Sequence, residues 1–273
     1  MQNQNNQKLV LQDISKKMIV LISTQRSGTN LLRSLLMSTG NLIDFKEVFH
    51  NNITKHNFFR FRRDIFNKNP HLSIPTPENI RHLFNQYIKY LAVQANNNSF
   101  IIDIKYNSFC HLSPCWQSPL QKPFLLNIIQ ENEMKIIHLI RDNVLETECS
   151  LQVLHKNKKA YYTHEENPKY MSIRLNTDKI VEQLKYRQKE ISFFQNYLDK
   201  YKNSCTIKYS EIAKGSLSDE VRERLYQCLG LIITGNTKTP YKKIAGSKKE
   251  MIENYDEVVD VLNTNELSYL LDD

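Results

Sequence analysis

A three-layer α/β/α domain around a central, mostly parallel sheet is predicted by three observations. Short apolar, β-rich runs recur along the chain: MIVLIS at 18–23, FIIDIKY at 100–106, KIIHLI at 135–140 and CTIKYS at 205–210. Longer helical patterns separate them, and strands alternating with helices build βαβ units whose parallel sheet is covered on both faces. The chain has 273 residues, 40% of them hydrophobic, which is enough for one well-buried core.

Taken in order, the first seven residues are rich in Gln and Asn, and residues 1–17 are expected to be a flexible tail ahead of a single domain spanning 18–273. The run 18–23 reads as the first strand. Leu31, Leu32, Leu35 and Leu36 then form one apolar stripe at helical spacing. Segments 177–200 and 217–229 also read as helices. The stretch 157–172 is polar and aromatic and carries Pro168, so it reads as a loop or lid.

Composition narrows the class. A net charge of +8 favours an anionic partner through long-range attraction. The basic residues are scattered, with no sustained block of the kind a nucleic-acid arm carries, so no nucleic-acid partner is expected. Five cysteines make an odd count with no C-x-x-C pair, which suggests neither a disulfide framework nor a zinc site. The N-terminus lacks a signal-peptide apolar stretch, and the run Met18 to Ile22 is far shorter than the roughly 20 residues that span a bilayer. A cytoplasmic protein without a transmembrane segment is the expectation.

The most informative segment is MIVLISTQRSGTNLLRSLL, a buried strand running through Ser23, Thr24, Gln25, Arg26, Ser27, Gly28, Thr29 and Asn30 into the Leu31 to Leu36 helix. Such a turn aims backbone N–H groups and the positive end of the helix dipole at one point, which suits a phosphate. Only six glycines occur in the chain, about a third of the usual ~7%, and one of them stands at this turn. Ser27, Thr29 and Asn30 add side-chain donors and Arg26 a permanent cation. On Ser27, Gly28 and Thr29 alone, an ordinary helix entry capped by Thr29 is the better reading. The pattern G-x-x-x-x-G-K-[ST] is absent, which argues against a Walker-type kinase or ATPase.

A second segment, KIIHLIRDNVLETECSL, is a strand that ends at Arg141 and opens a helix near Asn143. Ser150 follows Arg141 by nine residues, and the two can meet at one ligand group. An alternative is a helix-capping Asp142 beside a surface Arg. No paired carboxylates follow this strand as a metal site, so no metal is expected.

TQRSGTNLL resembles the 5'-phosphosulfate loop of sulfotransferases that use 3'-phosphoadenosine 5'-phosphosulfate (PAPS), above all their bacterial carbohydrate, Nod-factor and trehalose type. Gln25 and Arg26 stand where many relatives carry Pro-Arg or Pro-Lys. Arg141 and Ser150 resemble the same family's 3'-phosphate motif, with Cys149 at the alternative eight-residue spacing. The stretch 239–248, followed by Ile252 to Tyr255, is similar to the loop and helix that cover the nucleotide in that family, with Lys242, Lys243 or Lys248 as candidate phosphate contacts. The resemblance implies a P-loop-like nucleotide-binding fold, PAPS as co-substrate, no metal, and transfer of a sulfuryl group to a hydroxyl of a carbohydrate, glycolipid or other small acceptor. It places a catalytic base at Glu47, with His50 and Lys105 as candidates to assist. A nucleotide kinase and a non-catalytic nucleotide-binding protein are the competing readings. The acceptor-facing segments, near 49–75, 106–118 and 157–172, carry no recognisable pattern.

Overall fold

The computed structural model describes residues 11–38, 40, 42–52, 54–96, 98–118, 120–157, 162–163, 172–235, 237, 239–242 and 247–272. Among them five parallel strands form one sheet: β1 (Met18–Ser23), β2 (Leu42–Glu47), β3 (Ser99–Lys105), β4 (Lys135–Ile140) and β6 (Ser204–Lys208), in the order β2-β3-β1-β4-β6. Every residue of β1 is buried, as a central strand covered on both faces demands.

Alternation along the strands divides the core. Met18, Val20, Ile22, Ile102 and Ile104 face one side, where α3 (Phe58–Lys68), α4 (Pro77–Gln94), α5 (Phe124–Glu131) and the C-terminal part of α7 (Thr177–Leu198) pack. Ile19, Leu21, Ile101, Leu139 and Ile207 face the other, against α2 (Thr29–Met37) and α9 (Asp219–Leu229). These are the two helical layers of an α/β/α sandwich. A third cluster joins α6 (Val144–Asn157), the start of α7 and α11 (Tyr255–Thr264).

The chain leaves β1 through α2 toward β2 on one side of the sheet and leaves β4 through α6 and α7 toward β6 on the other. Between two such strands a crevice opens beyond their C-terminal ends, the usual ligand position in open parallel sheets. The turns after β1 and β4, singled out in the sequence for Arg26 and Arg141, border that crevice.

Residues 11–17, expected as part of a flexible tail, are helical and form α1. Leu11 and Ser15 are buried there, so an apolar anchor overrides the polar composition of the segment. Most of 157–172 lies outside the described residues. Tyr162–Thr163 (β5) pairs antiparallel with Tyr241–Lys242 (β7), which joins the expected lid to the expected covering loop. No helix among the described residues is long and apolar enough to cross a membrane.

Candidate functional site

The turn after β1 is built around two left-handed residues, Arg26 (φ 63°) and Gly28 (φ 92°). Ser27 Oγ donates to the Thr24 carbonyl at 2.9 Å and closes the turn from within. Gly28 is the N-cap of α2 and gives it no side-chain cap; the first turn holds no acidic residue. The leading N–H groups of that helix are thus left for an external anion, to which the helix dipole adds.

Gly28 is required here for two reasons. Its φ is one that side chains disfavour, and a Cβ at this position would lie 2.5 Å from Tyr209 Cδ2. Tyr209, the first residue of α8 (Tyr209–Ile212), in turn carries the Arg141 guanidinium 4.4 Å from its ring centroid. Gly28→Ala is therefore expected to cost about 1–2 kcal/mol from the backbone alone and to displace the ring on which Arg141 rests. Thermal unfolding should show a Tm lower by roughly 2–6 °C, with weakened binding of adenosine 3',5'-bisphosphate. An unchanged Tm would mean that Tyr209 is free to move aside.

The two arginine turns meet. Arg141 donates through one terminal nitrogen to the Arg26 carbonyl at 3.1 Å, and Arg26 Nε donates to Ser150 Oγ at 3.0 Å. Burial first, then the nearby positive Arg141, lowers the Arg26 pKa from its ordinary value. Two cations held close in a half-buried place create a position where an anion is favoured. The pairing differs from the expected one: Ser150 bonds Arg26, while Arg141 is held by Glu146 through Nε at 3.1 Å and a terminal nitrogen at 2.7 Å. An internal carboxylate has claimed the guanidinium, because Glu146 in the first turn of α6 is nearer to Arg141 than Ser150 is along the helix. Cys149 at the alternative spacing packs in the third core cluster, and burial pushes its thiol up to about 12.

Lys248, at the start of the short α10 (Lys248–Met251), is buried; its Nζ lies 3.9 Å from Glu146 Oε1 and donates to the carbonyls of Leu271 and Asp272. It ties the C-terminal segment to the Arg141 side of the crevice. Lys243 and the side chain of Lys242 lie outside the described residues. Gln25 is exposed on the turn, and Asn30 accepts a hydrogen bond from Arg33.

A second group of charges sits on the β3 side of the crevice. Lys105 Nζ donates to Ser23 Oγ at 3.2 Å, Thr29 Oγ1 at 2.8 Å and Asp103 Oδ2 at 3.0 Å. Those bonds use all three ammonium protons, so Lys105 fastens the end of β1 to the start of α2 and orders the turn. Asp103 Oδ2 also accepts from Arg33 at 2.9 Å, while its Oδ1 is buried with no hydrogen-bond partner among the described residues. Arg33 Nε stands 3.2 Å from Asp44 Oδ2, at ion-pair distance but out of hydrogen-bond alignment.

Glu47 comes to this group through an irregularity in β2. The register with β3 shifts between Asp44 and Glu47, and Lys46 adopts a left-handed φ of 60° with its N–H on Asp44 Oδ1 at 2.7 Å. The bulge sets Glu47 opposite Asp103 and re-aims the strand end, a use bulges commonly have beside functional sites. Burial raises the Glu47 pKa, with Lys105 opposing and Asp103 reinforcing. His50 is exposed, and its Nδ1 accepts the Asn52 N–H at 2.9 Å, which fixes that nitrogen as an acceptor.

The structure thus groups Arg26, Ser27, Gly28, Arg141, Ser150 and Lys248 on one side of the turn after β1, and Thr29, Lys105 and Glu47 on the other. Glu146, Tyr209, Asp103 and Arg33 belong to the same site and were not singled out in the sequence. Arg33 had a legible signal, a cation on the buried side of a leucine stripe. No family model matches this sequence, and no curated protein matches it significantly.

Proposed function

We propose that the chain is a PAPS-dependent sulfotransferase acting on the hydroxyl of a carbohydrate, glycolipid or other small acceptor. The observation that carries this reading is the meeting of two cationic strand-to-helix turns, Arg26 with Ser150 and Arg141 with the Arg26 carbonyl, beside the uncapped N-terminus of α2. A nucleotide with phosphate at both its 5' and 3' positions needs two anion sites a short distance apart. A kinase would need the Walker lysine, and the turn holds Arg26 and Gly28 instead.

The residues fit the co-substrate. The α2 N-terminus and Arg26 suit the 5' end, while Arg141, Ser150 and Lys248 suit the 3'-phosphate. Bound PAPS supplies the sulfuryl group: the acceptor oxygen forms a bond to sulfur, the bond from sulfur to the 5'-phosphate oxygen breaks, and adenosine 3',5'-bisphosphate leaves. The chain's own task is to place the acceptor in line, receive its proton and hold negative charge on the departing phosphate. Glu47 is the proposed base, since its raised pKa brings its proton affinity closer to that of a group working near neutrality. Lys105, fully bonded to the turn, acts by positioning, and His50, whose Nδ1 is taken by the Asn52 N–H, stands outside this group.

Binding of adenosine 3',5'-bisphosphate is expected without magnesium, because arginines and a helix N-terminus offset its charge. At a ligand concentration about a hundredfold above Kd, stability should rise by about 2.7 kcal/mol, read as a thermal shift that EDTA leaves intact. ATP with magnesium should give a much smaller shift. Loss of the first shift in EDTA, or a larger one with ATP and magnesium, would overturn the reading in favour of a kinase.

A further inference from the structure

Three large apolar side chains remain outside the cores along one rim: Trp116 is 101% exposed, Leu120 88% and Ile74 57%. The Cys115 N–H donates to the Pro75 carbonyl at 3.0 Å and joins the two segments that carry them. Consecutive turns, closed by Gln117 N–H to the Pro114 carbonyl at 3.3 Å and Gln121 N–H to that of Ser118 at 3.1 Å, hold Trp116 and Leu120 outward. Trp116 itself is left-handed, with φ 71°.

A basic surface adjoins this tip. Helix α3 carries Arg60, Arg62, Arg63 and Lys68 against a single acidic residue, Asp64, and leads directly into the turn before Ile74. Among the described residues its only ion pair is Arg63 with Asp64, at 3.5 Å. Arg62 stands 5.1 Å over the Phe59 ring, and Phe59 meets His111 edge to face at 4.9 Å, a few residues before Trp116.

Two joined segments bearing an indole, an isobutyl and a sec-butyl group offer little area to a flat protein face and would need matching sockets on a partner. A bilayer interface needs none: apolar side chains enter the acyl boundary, the indole N–H stays near the headgroups, and neighbouring arginines meet anionic lipid. The net charge of +8 favours the same encounter. We propose that the Ile74, Trp116 and Leu120 tip, together with the basic face of α3, docks on an anionic lipid surface. The test reads the tip directly and does not depend on the nucleotide turns.

Trp116 is the only tryptophan in the chain, so its fluorescence reports directly on the tip. The full chain is mixed with vesicles of phosphatidylcholine alone, or of equal parts phosphatidylcholine and phosphatidylglycerol. Co-sedimentation and a blue shift are expected with the anionic vesicles only, and both should fade as salt is raised. The double variant Ile74→Ser with Leu120→Ser keeps the reporter and should partition at least about tenfold less. Arg60→Ala with Arg63→Ala should lose about fivefold per cation. Absence of binding to anionic vesicles at low salt, equal binding to neutral ones, or indifference to the serine pair would overturn the proposal. So would a concentration-dependent blue shift without lipid, which would make the tip a contact between protein molecules. The wild-type vesicle and salt series stands without the variants, should either fail to fold.

Discussion

Glu47→Gln is expected to lower kcat for sulfuryl transfer by about 10²–10⁴-fold, the usual worth of a positioned general base. Nucleotide affinity should stay near wild type, because Glu47 lies on the β3 side of the crevice, away from Arg26 and Arg141. Glutamine keeps the size and hydrogen-bonding ends of the side chain but accepts no proton, so the loss belongs in kcat more than in KM. The raised pKa has two consequences of fixed sign. Activity that needs the carboxylate falls as pH drops through a value above the ordinary carboxylate range, so the acid limb of kcat/KM should sit higher than for a free glutamate. The folded state holds this proton more tightly than the unfolded one. Its contribution to stability is therefore full below the unfolded pKa and declines as pH rises through the folded value. The neutral glutamine should accordingly melt no lower than wild type at neutral pH. If the variant keeps more than about a third of wild-type kcat, far above what loss of a base allows, the role passes to His50, and His50→Asn becomes the deciding variant. Its Nδ1 accepts from the Asn52 N–H, so the neutral ring carries its proton on Nε2, and taking up a second proton requires that the Asn52 bond be given up.

Strands β1 and β4 stand where the apolar runs place them, because a strand buried on both faces has few alternatives as a continuous β-branched sequence. Helix α7 begins at Thr177, as its periodicity suggests, with Asn176 accepting from the Asp178 N–H at its start. Strand β2 was less legible: it is only half-buried, its register breaks between Asp44 and Glu47, and Lys46 takes a left-handed φ. A bulge depends on tertiary pairing with β3, which local sequence does not encode. The site shows the same division. Arg26 and Arg141 were visible because each lies in a turn between a buried strand and a helix. Asp103 and Glu146 were not, because their importance comes from partners far along the chain or from an ion pair that competes with the expected contact. Lys105 was legible as a residue but not as a role: the structure commits its ammonium to Ser23, Thr29 and Asp103, which makes it a part of the turn.

Arg141→Ala is expected to weaken PAPS far more than adenosine 5'-phosphosulfate, since only PAPS carries the 3'-phosphate. A charge-assisted hydrogen bond contributes roughly 1.5–3 kcal/mol, or about a tenfold to hundredfold change in Kd. The loss should fall toward the upper end, because Glu146 now holds the guanidinium and would be left facing the ligand without its main counter-charge. Lys248, 3.9 Å away, is a further neighbour of opposite sign. Glu146→Gln separates the two parts of that effect. If the carboxylate competes with the 3'-phosphate for Arg141, the glutamine variant should bind PAPS a fewfold tighter and adenosine 5'-phosphosulfate unchanged, and the double variant should recover part of the loss. If its task is to hold Arg141 over Tyr209, affinity for PAPS should fall instead, and the two single losses should not add. Titration calorimetry of the four proteins with both nucleotides decides. Equal losses for PAPS and adenosine 5'-phosphosulfate in Arg141→Ala would make Arg141 a brace for the Arg26 turn, through its bond to the Arg26 carbonyl, and would remove the 3'-phosphate from this side of the crevice.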